Sequence, residues 1–111
     1  MKLGFMLLII IIALIEYIGD ASLKSYARSG GTQMLLVGVG AYMATVVVLI
    51  YILKSVNVMY MNLNWDAVSV VIETILAYVL LKETLSNNYQ WAGFILIIIG
   101  LLLLNVGKPP K

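Results

Sequence analysis

The sequence predicts an all-α integral membrane protein with four transmembrane helices, and three observations carry that reading. Of the 111 residues, 63% are apolar and only 11% are charged. A soluble domain of this size needs about a quarter of its residues charged to cover its surface. The mean hydropathy of +1.07 says the same thing: the outer surface faces something apolar, and a lipid bilayer is the natural partner. Third, the chain divides into four apolar stretches, each near the roughly 20 residues that a bilayer-crossing helix requires. In lipid the backbone must satisfy its own hydrogen bonds, which leaves helices or closed barrels, and these stretches are too long for barrel strands.

One transmembrane domain, residues 1–111, is expected, with spans at about 3–23, 34–53, 58–81 and 89–106. The first span opens on an unbroken apolar run, Leu3 to Ile15, and is then interrupted by Glu16, Tyr17 and Asp20. Those acids stand where a signal peptide would carry small residues for cleavage, so this stretch reads as a span and not as a leader. Breakers separate the spans: Arg28-Ser29-Gly30-Gly31, then Lys54-Ser55 with Asn57, then Ser86-Asn87-Asn88. The tail Gly107-Lys108-Pro109-Pro110-Lys111 cannot continue a helix. A multi-pass protein of the cell or inner membrane is the expected setting.

Charge excludes some functions. The net charge of +2 comes from scattered Lys and Arg, without the basic run that binds nucleic acid. Cysteine and histidine are absent, which removes disulfides, thiol chemistry and the usual zinc and haem ligands; no metal or other cofactor is expected. Nothing in the chain supplies a nucleophile–base pair or a phosphate loop, so an enzyme is not expected. Orientation is evenly poised. Lys2, Lys54, Lys108 and Lys111 fall on one side of a four-span topology, and Lys24, Arg28 and Lys82 on the other. Either another signal sets the orientation, or copies insert both ways and pair as an antiparallel, dual-topology homodimer.

The carboxylates inside the spans are the functional lead. A charge at the bilayer centre costs about 2.5–3.5 kcal/mol on insertion scales, so such residues usually mark a substrate or proton path. Glu16 lies roughly 20 Å along a hydrocarbon core of about 30 Å, with no basic residue one turn away. Asp20 falls close to the interface, where Lys24 one turn on is the expected partner. In the third span Asn62, Asp66, Ser69 and Glu73 recur at i, i+4, i+7 and i+11, a polar stripe that must face protein or water. Trp65 beside it, at mid-span, is either packing or an aromatic wall for an organic cation. Glu83, in the third loop beside Lys82, is expected to be solvated. In an antiparallel pair Trp65 and Asp66 of one copy reach the depth of Glu16 in the other. That arrangement makes a central chamber in which protons and cations compete for the same carboxylates. The fourth span is uncharged from Tyr89 to Val106, and Gly93 and Gly100 share one face, for packing within the protomer or at a dimer seam.

Several of these features stand in register. The first helix reads Ala13-Leu14-Ile15-Glu16-Tyr17-Ile18-Gly19-Asp20-Ala21-Ser22-Leu23-Lys24. Tyr42 and Trp65 follow at fixed spacings, then Lys82-Glu83-Thr84-Leu85, then Gly93 and Gly100 ahead of Asn105. Together they resemble the small multidrug resistance family, within the wider drug/metabolite transporter superfamily. The resemblance implies a proton-coupled exporter of cationic organic compounds working by alternating access. It implies that Glu16 binds proton and substrate in turn, that Trp65 and Tyr42 line the site, and that Gly93 and Gly100 lie at the seam of an antiparallel homodimer. The sequence departs from the family pattern in three respects. Asn62 and Leu63 stand near a position usually held by tyrosine, Ala67 and Ser69 replace flexible glycines, and Asp66 and Glu73 are additional acids. The additional acids suit a hydrophilic or multiply charged cation. The departures also leave open a non-transporting or heteromeric membrane subunit with another cargo. An anionic cargo fits poorly, because the spans hold no Lys or Arg away from their ends.

Overall fold

The computed structural model describes residues 2–107, with four helices in chain order: α1 (Lys2–Ser29), α2 (Thr32–Leu53), α3 (Val58–Leu80) and α4 (Asn88–Leu104). The first three are long and apolar enough to cross a membrane, and α4 is a shorter apolar helix of 17 residues. The side chain of Lys2, together with Lys108 and Lys111 of the charge balance and the proline tail, lies outside the described residues.

Local chemistry sets the boundaries. α1 runs past its expected end at residue 23, because nothing from Lys24 to Ser29 breaks a helix. It stops at Gly30, whose N–H donates to the Tyr26 carbonyl at 2.7 Å. Gly30 and Gly31 have φ of +77° and +105°, a region that glycine enters freely and other residues do not. The reversal into α2 therefore takes only these two residues. Asn57 caps α3 by accepting from the Tyr60 N–H at 3.0 Å, and Asn87 caps α4 by accepting from the Gln90 N–H at 3.1 Å. Gln90 reaches back through Oε1 to the Ser86 N–H at 2.6 Å, so the start of α4 is satisfied from both directions. Past α3, Lys82 takes a left-handed φ of 56°, and the Glu83 N–H returns to the Ala77 carbonyl at 3.1 Å.

α1 is the central helix: it packs on α2 and on α3, while α4 packs on α3. The result is a slab of 46 × 36 × 18 Å, its thin dimension less than two helices clad in side chains. The core is one face of α1, formed by Phe5, Ile9, Ile12 and Ala13, set against Tyr60, Met61 and Val68 of α3 and Ile52 of α2. Phe5 stacks on Tyr60 with centroids 5.4 Å apart and planes at 23°. In a bilayer, whose tails are as apolar as these side chains, such helices are held together by close packing, small residues and hydrogen bonds in place of a hydrophobic drive.

Two features do that here. On the α1–α2 side, a Cβ at Gly38 would sit 2.6 Å from Leu23 Cδ2 and 3.3 Å from the Gly19 carbonyl oxygen. A Cβ at Gly19 would sit 2.9 Å from the Tyr42 ring. The two glycines let the backbones approach. On the α3–α4 side a polar ladder is built around Asn64, which is fully buried. Asn105 Nδ2 donates to Asn64 Oδ1 at 2.7 Å. The Tyr60 hydroxyl donates to Asn105 Oδ1 at 3.0 Å, and Asn64 Nδ2 donates to the Tyr60 carbonyl at 3.0 Å.

The glycine seam is testable. Gly38→Ala should destabilise the protein in detergent or lipid by about 1–3 kcal/mol, the usual range for overpacking a tight contact. Gly40→Ala, where an added Cβ meets nothing within 4 Å, should leave thermal unfolding unchanged or slightly later.

Candidate functional site

Glu16 occupies the crossing of α1 over α3, half-buried. Its Oε1 accepts two hydrogen bonds from α3, one from Ser69 Oγ at 2.7 Å and one from Trp65 Nε1 at 3.2 Å. Both donors come from the same chain, although the depth of Trp65 along α3 suggested that an inverted partner would supply it. Helical side chains lean toward the N-terminus of their own helix. That lean is shared by both helices, and what brings the two together is that α1 and α3 run side by side in the same direction, Phe5 meeting Tyr60 and Glu16 meeting Ser69.

One turn further along α1, Asp20 accepts a hydrogen bond from the hydroxyl of Tyr42 on α2. Glu73, one turn beyond Ser69 on α3, completes the group: one carboxylate oxygen from each of Glu16, Asp20 and Glu73 lies within 4.8 Å of the other two. The cluster is thus contributed by α1 and α3 and steadied by α2. Three carboxyl groups this close form a focus of negative potential that attracts a cation.

Other expected partnerships are rearranged. Lys24 does not pair with Asp20. It forms an ion pair with Glu83 of the α3–α4 connection. The left-handed turn at Lys82 aims Glu83 back toward α1, while Tyr42 has already engaged Asp20. Glu83 is therefore paired, with its side chain 44% exposed.

The polar stripe of α3 does not act as a unit. Ser69 and Glu73 join the cluster, whereas Asn62 and Asp66 are exposed on the protomer surface. The reason is the crossing of the helices. α1 meets Tyr60 and Met61 low on α3 and moves across to Ser69 and Glu73 higher up, so a straight stripe is shared between different neighbours. Asp66 instead lies on an apolar groove between α3 and α4, with Leu63, Val70, Ile97 and Gly100. Gly93 and Gly100 meet nothing within 4 Å of an added Cβ, and α4 buries no residue in the protomer.

Sequence reasoning missed Asn64, Gly19, Gly38 and the role of Ser69. Asn64 lies off the polar stripe, and its only signal was a carboxamide in an apolar span. The two glycines could have been found as small residues on facing helices. Compared with known proteins, the chain matches no protein-family model and no curated protein.

The bonds to Glu16 can be read by infrared spectroscopy on protein acidified until Glu16 is neutral, its band assigned by difference against Glu16→Gln. Each accepted hydrogen bond lowers a carbonyl stretch. Ser69→Ala and Trp65→Phe should each move the Glu16 band to higher frequency, and the double substitution further. Tyr42→Phe, which removes a bond to Asp20, should leave it in place. A band indifferent to Ser69 and Trp65 would contradict the assigned contacts.

Proposed function

We propose that this chain is a proton-coupled membrane transporter of the small multidrug resistance type, exporting cationic organic compounds by alternating access. The observation that carries the reading is the Glu16 carboxylate, held by Trp65 and Ser69 inside a membrane-spanning bundle with Asp20 and Glu73 beside it. Intramembrane acids are kept for ion or substrate handling, and an indole beside a carboxylate is a suitable surface for an organic cation. A cation entering the cluster and a proton entering it neutralise the same charge, so occupancy by one disfavours the other. That competition is the minimum chemistry for antiport.

The functional unit proposed is an antiparallel homodimer. Its support is the uncovered α4 face bearing Gly93 and Gly100 and the nearly even distribution of basic residues on the two sides. Small residues on an unoccupied transmembrane face suit a second helix at close range. The same open face, with the missing family tyrosine and glycines, supports a second reading in which the partner is a different chain. Cross-linking through single cysteines placed at Gly93 and Gly100 separates the two. Self-adducts favour the homodimer, and adducts only with another polypeptide favour the heteromer.

Transport itself is checked in liposomes loaded with an organic cation. An inward proton gradient should drive export through the wild-type protein, with counterflow of protons that a protonophore abolishes. Glu16→Gln should lower the coupled rate by at least about 100-fold, the scale expected when the group that exchanges its ligand is lost. Wild-type transport in that variant would sink the proposal.

A further inference from the structure

The acidic cluster at Glu16 reaches the protomer surface through Asp20 and Glu73. Above it, at the end where α1 and α3 finish and α4 begins, lie two adjoining clefts. The inner one, about 210 Å³, is bounded by Tyr17, Asp20, Lys24, Glu73 and Glu83. The outer one, about 250 Å³, is bounded by Glu73, Tyr78, Glu83, Thr84 and Trp91. They share Glu73, Ala77 and Glu83, and the Lys24–Glu83 ion pair spans the inner cleft between α1 and the α3–α4 connection.

We propose that the outer cleft is a separate docking site for an organic cation with an aromatic or alkyl body, and that the Lys24–Glu83 pair is the gate between it and the acidic cluster. The inference rests on the exporter reading and adds an entry site to it. The outer walls suit such a ligand. Tyr78 and Trp91 meet edge-to-face, with centroids 5.8 Å apart and planes at 85°, which offers a ring face to a cation. Glu83 and Glu73 supply the opposite charge at the shared boundary.

Gating follows from ion exchange. Glu83 already holds an ammonium group, that of Lys24, on side chains 42% and 44% exposed. An arriving cation replaces one positive partner of Glu83 with another, so no carboxylate is left bare. Lys24 keeps its charge and swings into water on a flexible stem, which clears the boundary toward Glu73 and Asp20. A half-exposed pair is screened by solvent and weak enough for a ligand to displace. An anion or a neutral molecule gains nothing from Glu83 and leaves the pair closed.

The chain has two tryptophans, one in each site, so each can be made the sole reporter. The full-length protein in lipid nanodiscs is titrated with benzyltrimethylammonium. In Trp65→Phe protein, Trp91 emission should change saturably. Lys24→Gln, which removes the competing ammonium, should tighten that response about two- to fivefold, and Glu83→Gln should weaken it by a similar factor. Lys24→Arg, which restores a cation opposite Glu83, should hold the wild-type affinity. A bridge that merely supports the fold would move both glutamine variants in the same direction, and that result overturns the gate. A silent Trp91 beside a responsive Trp65, read in Trp91→Phe protein, overturns the outer site alone. A silent Trp65 with a responsive Trp91 counts against the exporter reading and leaves the outer site standing.

Discussion

A carboxylate kept inside an apolar slab needs partners, and the arrangement of this protein follows from how Glu16 and its neighbours find them. A single acid facing lipid is costly to insert. Here Glu16 is met by two donors from α3, and Asp20 by one from α2. α1 therefore has to lie between those two helices, and it does. The apolar face below Glu16, from Phe5 to Ala13, fixes the same placement by packing. Burial at one end of α1 and polar recruitment at the other select the same neighbours. Local and global preferences agree, as they do in sequences that fold to one structure.

The other side of the slab is governed by a different balance. α4 buries none of its own residues, and the bonds among Asn105, Asn64 and Tyr60 fasten its far end to the start of α3. Interhelical hydrogen bonds in membranes average only about 0.6 kcal/mol each. Such a ladder fixes register more than it adds stability, leaving the glycine-bearing face of α4 and the adjoining groove uncovered. Asp66 lies exposed on that groove, whereas Glu16, Asp20 and Glu73 gather on the α1 side. The α4 side of the protomer is thus open, while the acidic cluster is assembled by the chain itself.

Much of this was legible in the sequence. Composition and the lengths of the apolar runs predict four spans; the structure has four helices, of which three are long and apolar enough to cross a membrane and α4 is shorter, and the ends of α2, α3 and α4 lie within about two residues of the expected bounds. α1 overran because apolarity marks the lipid-facing part of a helix and not where the helix stops. Gly30 and Gly31 mark the stop. Glu16, Trp65 and Glu73 were singled out and are brought together. Asn62 and Asp66 were singled out with them and are not, since a one-helix stripe says nothing about the angle at which a second helix crosses it. Pairing failed for a related reason. Lys24 has Asp20 one turn away and Glu83 far along the chain, and only the turn at Lys82 decides between them.

The unbroken α3 constrains how the protein can change shape. Val58–Leu80 is continuous helix, and Ala67 and Ser69 stand where glycines would allow a bend. Ser69 is also bonded to Glu16, so bending α3 there would cost a contact that the acid needs. Rearrangement in this chain therefore falls to motions between helices. The seam at Gly19 and Gly38 seats Leu23 and the Tyr42 ring at close range and holds α1 on α2, whereas the ladder at Asn64 can pivot because its bonds are few and lie at one end. At the opposite end the α3–α4 connection is held to α1 by the Lys24–Glu83 pair. Releasing that pair loosens the connection into α4, whose first turn still rests on Tyr78 through Trp91, and leaves the far end anchored. With α3 rigid, the proposed ion exchange at that connection would bear on α4, the helix whose exposed face lacks a neighbour within the protomer. If the gate and the dimer proposals hold, the charges that set access and the face offered to a partner are mechanically joined.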